Sequence, residues 1–387
     1  MEEFDVAVIG AGPAGVMAAW KAVQQGSRTI LLERESNPGK KVCAEGVLGD
    51  VLSDAEIRPQ PEFAINKIDG ALLYGPDESK RVTVKGDGYI LDKPALLNVL
   101  AKRAEDAGAE VRYGIAVSDL RRENDGVRIE AKSEGQPFTF DARIVIGCDG
   151  TGSVVARRFF QRPNYQVIAA FQYNVVDCNV HDESKLEIFV GQNKAPAGYI
   201  WIFPKTKHTA NVGIGLKGTG AKRLLDIFIE NHPDTFSGSS IERSLAAPVP
   251  VGGEVDNYVA DNLMLCGDAA GQVIPLTGAG IHTGLVSGKI AGEVAGAAAK
   301  EGELKSKRLS EYKNRFQALF GERISTSLKA LESFERFSDE ELNIITQYLD
   351  GQDLVEMANG VNPSKAIRLL VRHPLLGVKV AYQLLTS

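Results

Sequence analysis

The stretch Asp5-Val-Ala-Val-Ile-Gly-Ala-Gly-Pro-Ala-Gly15, with its continuation to Ser27-Arg-Thr-Ile-Leu-Leu-Glu33, decides the fold. A run of valine and isoleucine predicts a buried strand. The glycines at 10, 12 and 15 predict a tight turn into an alanine-rich helix. Gly26 suits the left-handed position past the helix end, and 27–33 predicts a second buried parallel strand. The unit is a βαβ. Gly10 permits the turn, Gly12 lets the backbone approach a pyrophosphate, and Gly15 lets helix and strand pack closely. The helix N-terminus then faces the phosphates, and Glu33, 23 residues after Gly10, can accept from a ribose hydroxyl. This predicts dinucleotide binding; the competing reading is a turn that serves packing alone. A second GxGxxG, at Gly213, Gly215 and Gly218, lacks the following strand with its terminal acid and is set aside.

Outward from this unit, 38–50 is a polar glycine-containing loop, and 68–84 alternates as antiparallel strands do. An amphipathic helix is expected at 94–108, with Leu96, Leu97, Leu100 and Ala104 on one stripe. Strands are expected at 110–115, 127–131 and 138–140, and a buried strand at 144–150. Strands at 171–176, 186–190, 200–203 and 210–216 suit one sheet of a second domain. A short buried strand at 263–267 precedes a loop and a small-residue helix at about 279–299, and from 301 the periodicity is helical. The fold expected is therefore α/β, with residues 1–75, 95–160 and 255–300 forming a discontinuous nucleotide-binding domain. Residues 76–94 and 161–254 would form an inserted antiparallel-sheet substrate domain, and 301–387 a helical region.

The segment Leu263-Met-Leu-Cys-Gly-Asp-Ala-Ala-Gly-Gln-Val-Ile-Pro-Leu-Thr-Gly-Ala-Gly-Ile281 narrows the choice of dinucleotide. Asp268 at a strand end could bond a polyol hydroxyl, and Gly278 to Gly280 lead into a second helix N-terminus. A flavin uses both: ribityl hydroxyls want an acceptor, and the edge that becomes anionic on reduction is stabilised by a helix dipole. A second strand–turn–helix without a ligand would carry the same residues.

With 387 residues, 44% apolar and 24% charged, the chain can bury a sizeable core, and its net charge of −6 argues against nucleic acid as the partner. The four cysteines, Cys43, Cys148, Cys178 and Cys266, show no metal-ligand spacing, so neither a metal site nor a disulfide framework is expected. Met1 to Asp5 lacks the basic and apolar regions of a signal peptide. No uncharged apolar run reaches the ~18 residues of a membrane span, so a cytoplasmic chain is expected. From Met357 to Ser387 there is no carboxylate side chain, while Lys365, Arg368, Arg372 and Lys379 lie on an apolar background. That composition suits peripheral contact with an anionic membrane or a phosphate headgroup, and equally a helix packed on the body.

Together, GAGPAG with Glu33, the segment Gly147-Cys-Asp-Gly-Thr-Gly-Ser-Val-Val-Ala-Arg157, and the 263–281 segment resemble the FAD-dependent hydroxylase superfamily, built on the glutathione-reductase-type nucleotide fold. Within it, Pro38-Gly-Lys-Lys-Val-Cys-Ala-Glu-Gly-Val47 and Gly198-Tyr-Ile-Trp-Ile-Phe-Pro-Lys205, followed by NVGIGL, resemble the geranylgeranyl reductase family. Within that family they resemble especially the archaeal members acting on digeranylgeranylglycerophospholipids. The resemblance implies FAD as cofactor, contacted by Ala14, Glu33, Cys43, Ala44, Gly46, Val117, Asp268, Gly280 and Ile281. Two positions depart from the family pattern: Ala44 replaces a glycine of the commoner CGEG loop, and Lys93 stands where an arginine is usual, a point charge without the bidentate fork. Lys93 is kept as a cofactor ligand.

Cys43 donates a proton, holds a substrate or fills space beside the flavin, and the nearby Lys40 and Lys41 are expected to favour its thiolate. Tyr199, Trp201 and Phe203, at i, i+2 and i+4, line one face of a strand. They form either ordinary sheet core or, as the resemblance implies, an apolar wall along which a prenyl chain lies. The expected activity is saturation of isolated C=C bonds of geranylgeranyl chains, on a phospholipid or a diphosphate. NAD(P)H or a reduced ferredoxin-type protein would be the external electron donor. An aromatic hydroxylase or epoxidase, or an electron-transfer flavoprotein, would share the same FAD motifs.

Overall fold

The structure, a computed structural model, describes residues 2–160, 165–348 and 350–352. The valine- and isoleucine-rich runs form a parallel stack in the spatial order Glu110–Tyr113, Thr29–Glu33, Glu3–Ile9, Gln136–Gly147 and Leu263–Leu265. In chain order this is 3-2-1-4-5, so the winding reverses between Glu3–Ile9 and Gln136–Gly147 and leaves a crevice at their carboxyl ends. Val6, Val8, Leu31, Val145 and Ile146 are fully buried, as expected of strands covered on both faces. The long strand Gln136–Gly147 also pairs, through its first half, with Gly126–Ser133, which in turn pairs with Ile115–Glu123.

The helices Pro13–Gln24 and Ile281–Glu301 pack on one face of this stack. Their contact has no room for side chains. A Cβ on Gly288, Gly292 or Gly296 would stand 2.0, 2.3 or 2.6 Å from the carbonyl oxygen of Ala14, Ala18 or Ala22 respectively. Glycine at every fourth position therefore lets one backbone lie on the other, and this places both helix N-termini at the crevice. The helix expected at 94–108 runs over Lys93–Asp106 and is capped by Asp92, which accepts from the Ala95 amide at 2.9 Å.

The second sheet has the order Ser240–Pro250, Val167–Val176, Thr209–Leu216, Tyr199–Thr206, Lys185–Val190, Ala64–Tyr74, Arg81–Leu91, Gly46–Leu48. Its neighbours run antiparallel except at one joint, where Lys185–Val190 pairs in parallel with Ala64–Tyr74. Sheet membership moves the first chain crossing well before residue 75, because Gly46–Leu48 and Ala64–Tyr74 already belong to this sheet. The alternation that marks 68–84 begins earlier, and a hairpin ties both strands to one sheet.

One face of the second sheet, through Ile200, Ile202, Val212 and Ile214, buries Leu225 and Phe228 of the helix Ala221–Glu230. The opposite face, with Ala170, Trp201 and Phe203, packs against Val42 and so meets the loop that follows the first βαβ unit. After residue 301, Ser306–Phe334 buries Leu309, Tyr312 and Phe316, and Asp339–Tyr348 follows. Among the described residues no helix is long and apolar enough to cross a membrane. The basic stretch with Lys365, Arg368, Arg372 and Lys379 lies outside the described residues.

Candidate functional site

The three glycines of the first turn prove unequal. Gly10 has φ +97° and a Cβ there would lie 2.5 Å from the Cys148 carbonyl oxygen, while one on Gly15 would lie 1.7 Å from that of Gly10. Both are required by the packing of the chain on itself. Around the Cβ position of Gly12 no atom stands within 4 Å, so this glycine opens the turn to a ligand. The helix beginning at Pro13 has no side-chain cap. Glu33 closes the turn from the other side: one carboxylate oxygen accepts from the Ala11 amide at 2.7 Å and the other from Glu35 at 3.0 Å. An ionised carboxylate has about four acceptor sites, so capacity for a hydroxyl remains.

The second signature arrives at the same crevice. A Cβ on Gly280 would stand 3.5 Å from Asp268 Oδ1, one on Gly284 3.4 Å from Pro13 Cβ, and one on Gly267 3.3 Å from Ala14 Cβ. Ala14, Asp268, Gly280 and Ile281 are therefore neighbours, although 267 residues separate the first from the last in the chain. Asp149, in the quoted GCDGTG segment but not singled out there, lies two residues past the end of the adjacent strand. Its Oδ2 accepts from Val154 N at 2.7 Å, its Oδ1 is buried without a partner, and burial pushes its pKa up. The open face of Gly12, the uncapped helix start and this orphaned oxygen fit a ligand that carries phosphates and hydroxyls, as FAD does. Val117 is half-buried against the core of the parallel sheet.

The loop from Lys41 to Gly46 is held by charges the sequence did not reveal as partners. Lys41 pairs with Asp268, and Lys93, buried, donates from Nζ to the Lys41 carbonyl at 2.5 Å. Lys93 thus spends its ammonium on the loop backbone. Glu45, at φ +69°, is a non-glycine residue in the left-handed region, and such strain persists only where the surroundings enforce it. Its carboxylate receives Lys205 Nζ at 2.8 Å, Asn211 Nδ2 at 2.8 Å and the Lys93 amide at 3.2 Å, and its carbonyl receives Leu91 N at 2.8 Å. Asn211 also donates to the Ala44 carbonyl at 3.1 Å.

Cys43 does not have the environment expected from its lysine neighbours. Lys40 pairs with Glu35 at 2.9 Å and Lys41 with Asp268, and the pull of Lys41 on the thiol is weaker than that of burial. Burial dominates and pushes the thiol pKa up, against the opposing pull of Lys93. Cys43 is a protonated thiol. Gly46, next in line, leaves room for an aromatic ring: a Cβ there would lie 2.6 Å from Phe203 Cε2. All four cysteines are free, and burial also raises the pKa of Cys148 and Cys178.

Tyr199, Trp201 and Phe203 share the sheet face that meets this loop. Trp201 lies across the glycines of the next strand, where a Cβ on Gly213 would fall 2.2 Å from its ring. The second GxGxxG is thus a bed for an indole. Trp201 Nε1 donates to Gln172 Oε1 at 3.3 Å, and Tyr199 OH donates to the Thr277 carbonyl at 2.5 Å, reaching the loop before Gly280. Burial and the nearby Cys43 push the Tyr199 phenol up to about 12, so it too keeps its proton. Trp201 and Phe203 are largely covered by Val42, Leu186 and their neighbours. Beside them opens a cleft of about 380 Å³, bounded by Lys41, Cys43, Glu45, Gln172, Lys205 and Arg243. Glu45, Lys205 and Asn211 were missed by sequence reasoning. The available signal was that each supplies a polar group within, or next to, an otherwise apolar motif segment.

Comparison with known proteins agrees with this geometry. Residues 5–158 match the FAD dependent oxidoreductase family and residues 166–247 the geranylgeranyl reductase catalytic domain. The chain is 38% identical to digeranylgeranylglycerophospholipid reductase 2 of Methanopyrus kandleri, over 97% of this chain and 98% of that protein. It is 32% identical to the digeranylgeranylglycerophospholipid reductase of Methanocaldococcus jannaschii, over 96% of each. A geranylgeranyl bacteriochlorophyll reductase-like structure from Thermoplasma acidophilum superposes with a TM-score of 0.87 at 27% identity, covering 99% of this chain and all of that one. The flavin-dependent halogenase CmlS, at 17% identity and a TM-score of 0.71 over 95% of this chain and 73% of its own, shares the fold alone. The chain therefore belongs to the digeranylgeranylglycerophospholipid reductase family of FAD-dependent oxidoreductases.

Proposed function

We propose that the protein saturates isolated double bonds of the geranylgeranyl chains of digeranylgeranylglycerophospholipids. The observation that carries this reading is the near-full-length identity to reductases of that name, joined to the meeting of the Cys43 loop with the aromatic sheet face. When bound, FAD supplies hydride. Gly12, Ala14 and the uncapped helix start would receive its pyrophosphate, Glu33 a ribose hydroxyl, and Asp268 with Gly280 and Ile281 its ribityl and ring portion. Lys41 and Lys93 would fix the loop that carries Cys43, Ala44 and Gly46 against it.

An isolated alkene has no carbonyl to polarise it, so the chain's own residues must hold it still, exclude water and place a proton. Trp201 and Phe203 offer a flat apolar surface, and Gly213 and Gly46 set how closely each ring can lie. Cys43 and Tyr199, both protonated, stand near this surface as proton-holding groups. Electrons would come from NAD(P)H or a reduced ferredoxin-type protein, and the basic C-terminal stretch would provide peripheral contact with the membrane that holds the lipid.

The test is anaerobic incubation of dithionite-reduced holoenzyme with digeranylgeranylglycerol phosphate and, in parallel, geranylgeranyl diphosphate, followed by mass spectrometry. Lipid products heavier by pairs of hydrogens are expected. If the protein carries reducible FAD yet changes neither compound, the proposal fails.

A further inference from the structure

The register of the second sheet places unlike rows side by side on the face that meets the Cys43 loop. Arg243, Asn174, Asn211 and Phe203 stand opposite one another across four strands; Leu245, Gln172, Gly213 and Trp201 form the next row on the same face. Two residues along a strand is about 7 Å, so a polar row lies that close to the indole row.

The cleft borders the polar row, and most of its charges are already committed. Lys41 is held by Asp268 and Lys205 by Glu45, while Asp92 caps its own helix. What remains unspent is specific. Arg243 and Glu242, both exposed in the cleft, have no partner among the described residues, and Asn174 Oδ1 is buried without one. Glu242 is the extra residue at the register shift between Asn174 and Val175, which lets adjacent residues border one cleft. With Asn211 Oδ1, buried without a partner in the same row, the unspent set is one guanidinium fork, one carboxylate and two amide oxygens. A fork matches a phosphate, and acceptors match hydroxyls or ordered water.

We propose that this cleft is the subsite for the phosphorylated glycerol end of the lipid, with Arg243 binding the phosphate and Asn174 and Glu242 accepting from the ordered water around it. The inference rests on the proposed lipid substrate and adds how the enzyme recognises the end that does not react. The headgroup at Arg243 places the start of the prenyl chain at the Trp201 row.

Calorimetric titration of the holoenzyme tests it with three soluble probes: a geranyl ether of glycerol phosphate, the same ether without phosphate, and glycerol phosphate alone. The phosphorylated ether should bind about tenfold or more tightly than its dephosphorylated counterpart, the order of a charge-assisted hydrogen bond. In Arg243→Ala that ratio should fall to about two or less, with Arg243→Lys between, while FAD content stays at the wild-type level because the side chain is exposed. A ratio unchanged in Arg243→Ala, or near one in the wild type, would overturn the assignment. Glycerol phosphate binding as tightly as the ether would overturn its lipid character. Because calorimetry needs no turnover, a protein that prefers the phosphorylated ether yet reduces no lipid would support the subsite and count only against the reductase reading.

Discussion

Two glycines in helix interiors, Gly288 and Gly321, should respond to the same substitution with opposite sign. In a solvated helix, replacing glycine by alanine gains about 1 kcal/mol of helix propensity. Gly321, in Ser306–Phe334, meets that condition: the nearest atom to its added Cβ is Gln317 Cβ at an ordinary 3.5 Å. Gly321→Ala should therefore stabilise by about 0.5–1 kcal/mol. At Gly288 the added carbon would stand 2.0 Å from the Ala14 carbonyl oxygen and 2.8 Å from Ala14 Cα. These are backbone atoms that cannot rotate aside, and ordinary contact begins near 3.4 Å, so the first helix must retreat by more than an ångström. Overpacking of that kind costs about 3 kcal/mol, which leaves a net loss of about 2 kcal/mol after the propensity gain. The retreat would carry Ala14 and the glycine turn with it, so FAD content should fall as well. Guanidinium unfolding followed by circular dichroism, with released flavin fluorescence read in parallel, measures both effects. If Gly288→Ala matches Gly321→Ala in stability and retains full FAD, the helix–helix argument is refuted.

The Glu45–Lys205 pair should behave as a coupled unit. Glu45→Ala strands a half-buried ammonium and costs about 3 kcal/mol, but the double variant with Lys205→Met should lose less than the sum by about 1–3 kcal/mol, and additivity would dissolve the pair. Trp201→Ala empties a buried ring at a cost of about 3–5 kcal/mol and should lower turnover of long prenyl lipids at least tenfold (~1.4 kcal/mol of barrier) with FAD content kept. Unchanged kinetics would remove the indole from substrate contact. Burial pulls the His232 pKa down, but the bond to Glu78 at 2.9 Å and one to the Phe228 carbonyl outweigh it and raise the net value above 6.5. The charged pair therefore stabilises the fold fully below pH 6.5 and weakens as pH rises through the raised folded value. The stability deficit of His232→Gln should be largest near pH 6 and shrink toward pH 9; a deficit that grows with pH would reverse the assignment.

The βαβ unit was legible because each of its demands is local. Gly10, Gly12 and Gly15 lie within six residues of one another, and Glu33 follows within one strand–helix–strand repeat. The aromatic face was legible too, because strand periodicity puts Tyr199, Trp201 and Phe203 on one side whatever the sheet around them. The limits of the second sheet were less so. Gly46–Leu48 is a three-residue strand, too short to show alternation, and it is recognisable only once Gly88 to Ile90 are beside it.

Charge states were the least legible. Cys43 sits next to two lysines in the chain, and proximity in sequence suggests a thiolate; in space those ammonium groups go to Glu35 and Asp268, and desolvation prevails. The same holds for Glu45, whose partners Lys205 and Asn211 lie 160 and 166 residues away. The sequence by itself determined the nucleotide fold, the family and the apolar face, since these rest on patterns within single segments. Only the tertiary structure decided which ions are spent on each other, which thiol keeps its proton and where unspent polar groups gather, because pairing and burial depend on segments that no local pattern brings together.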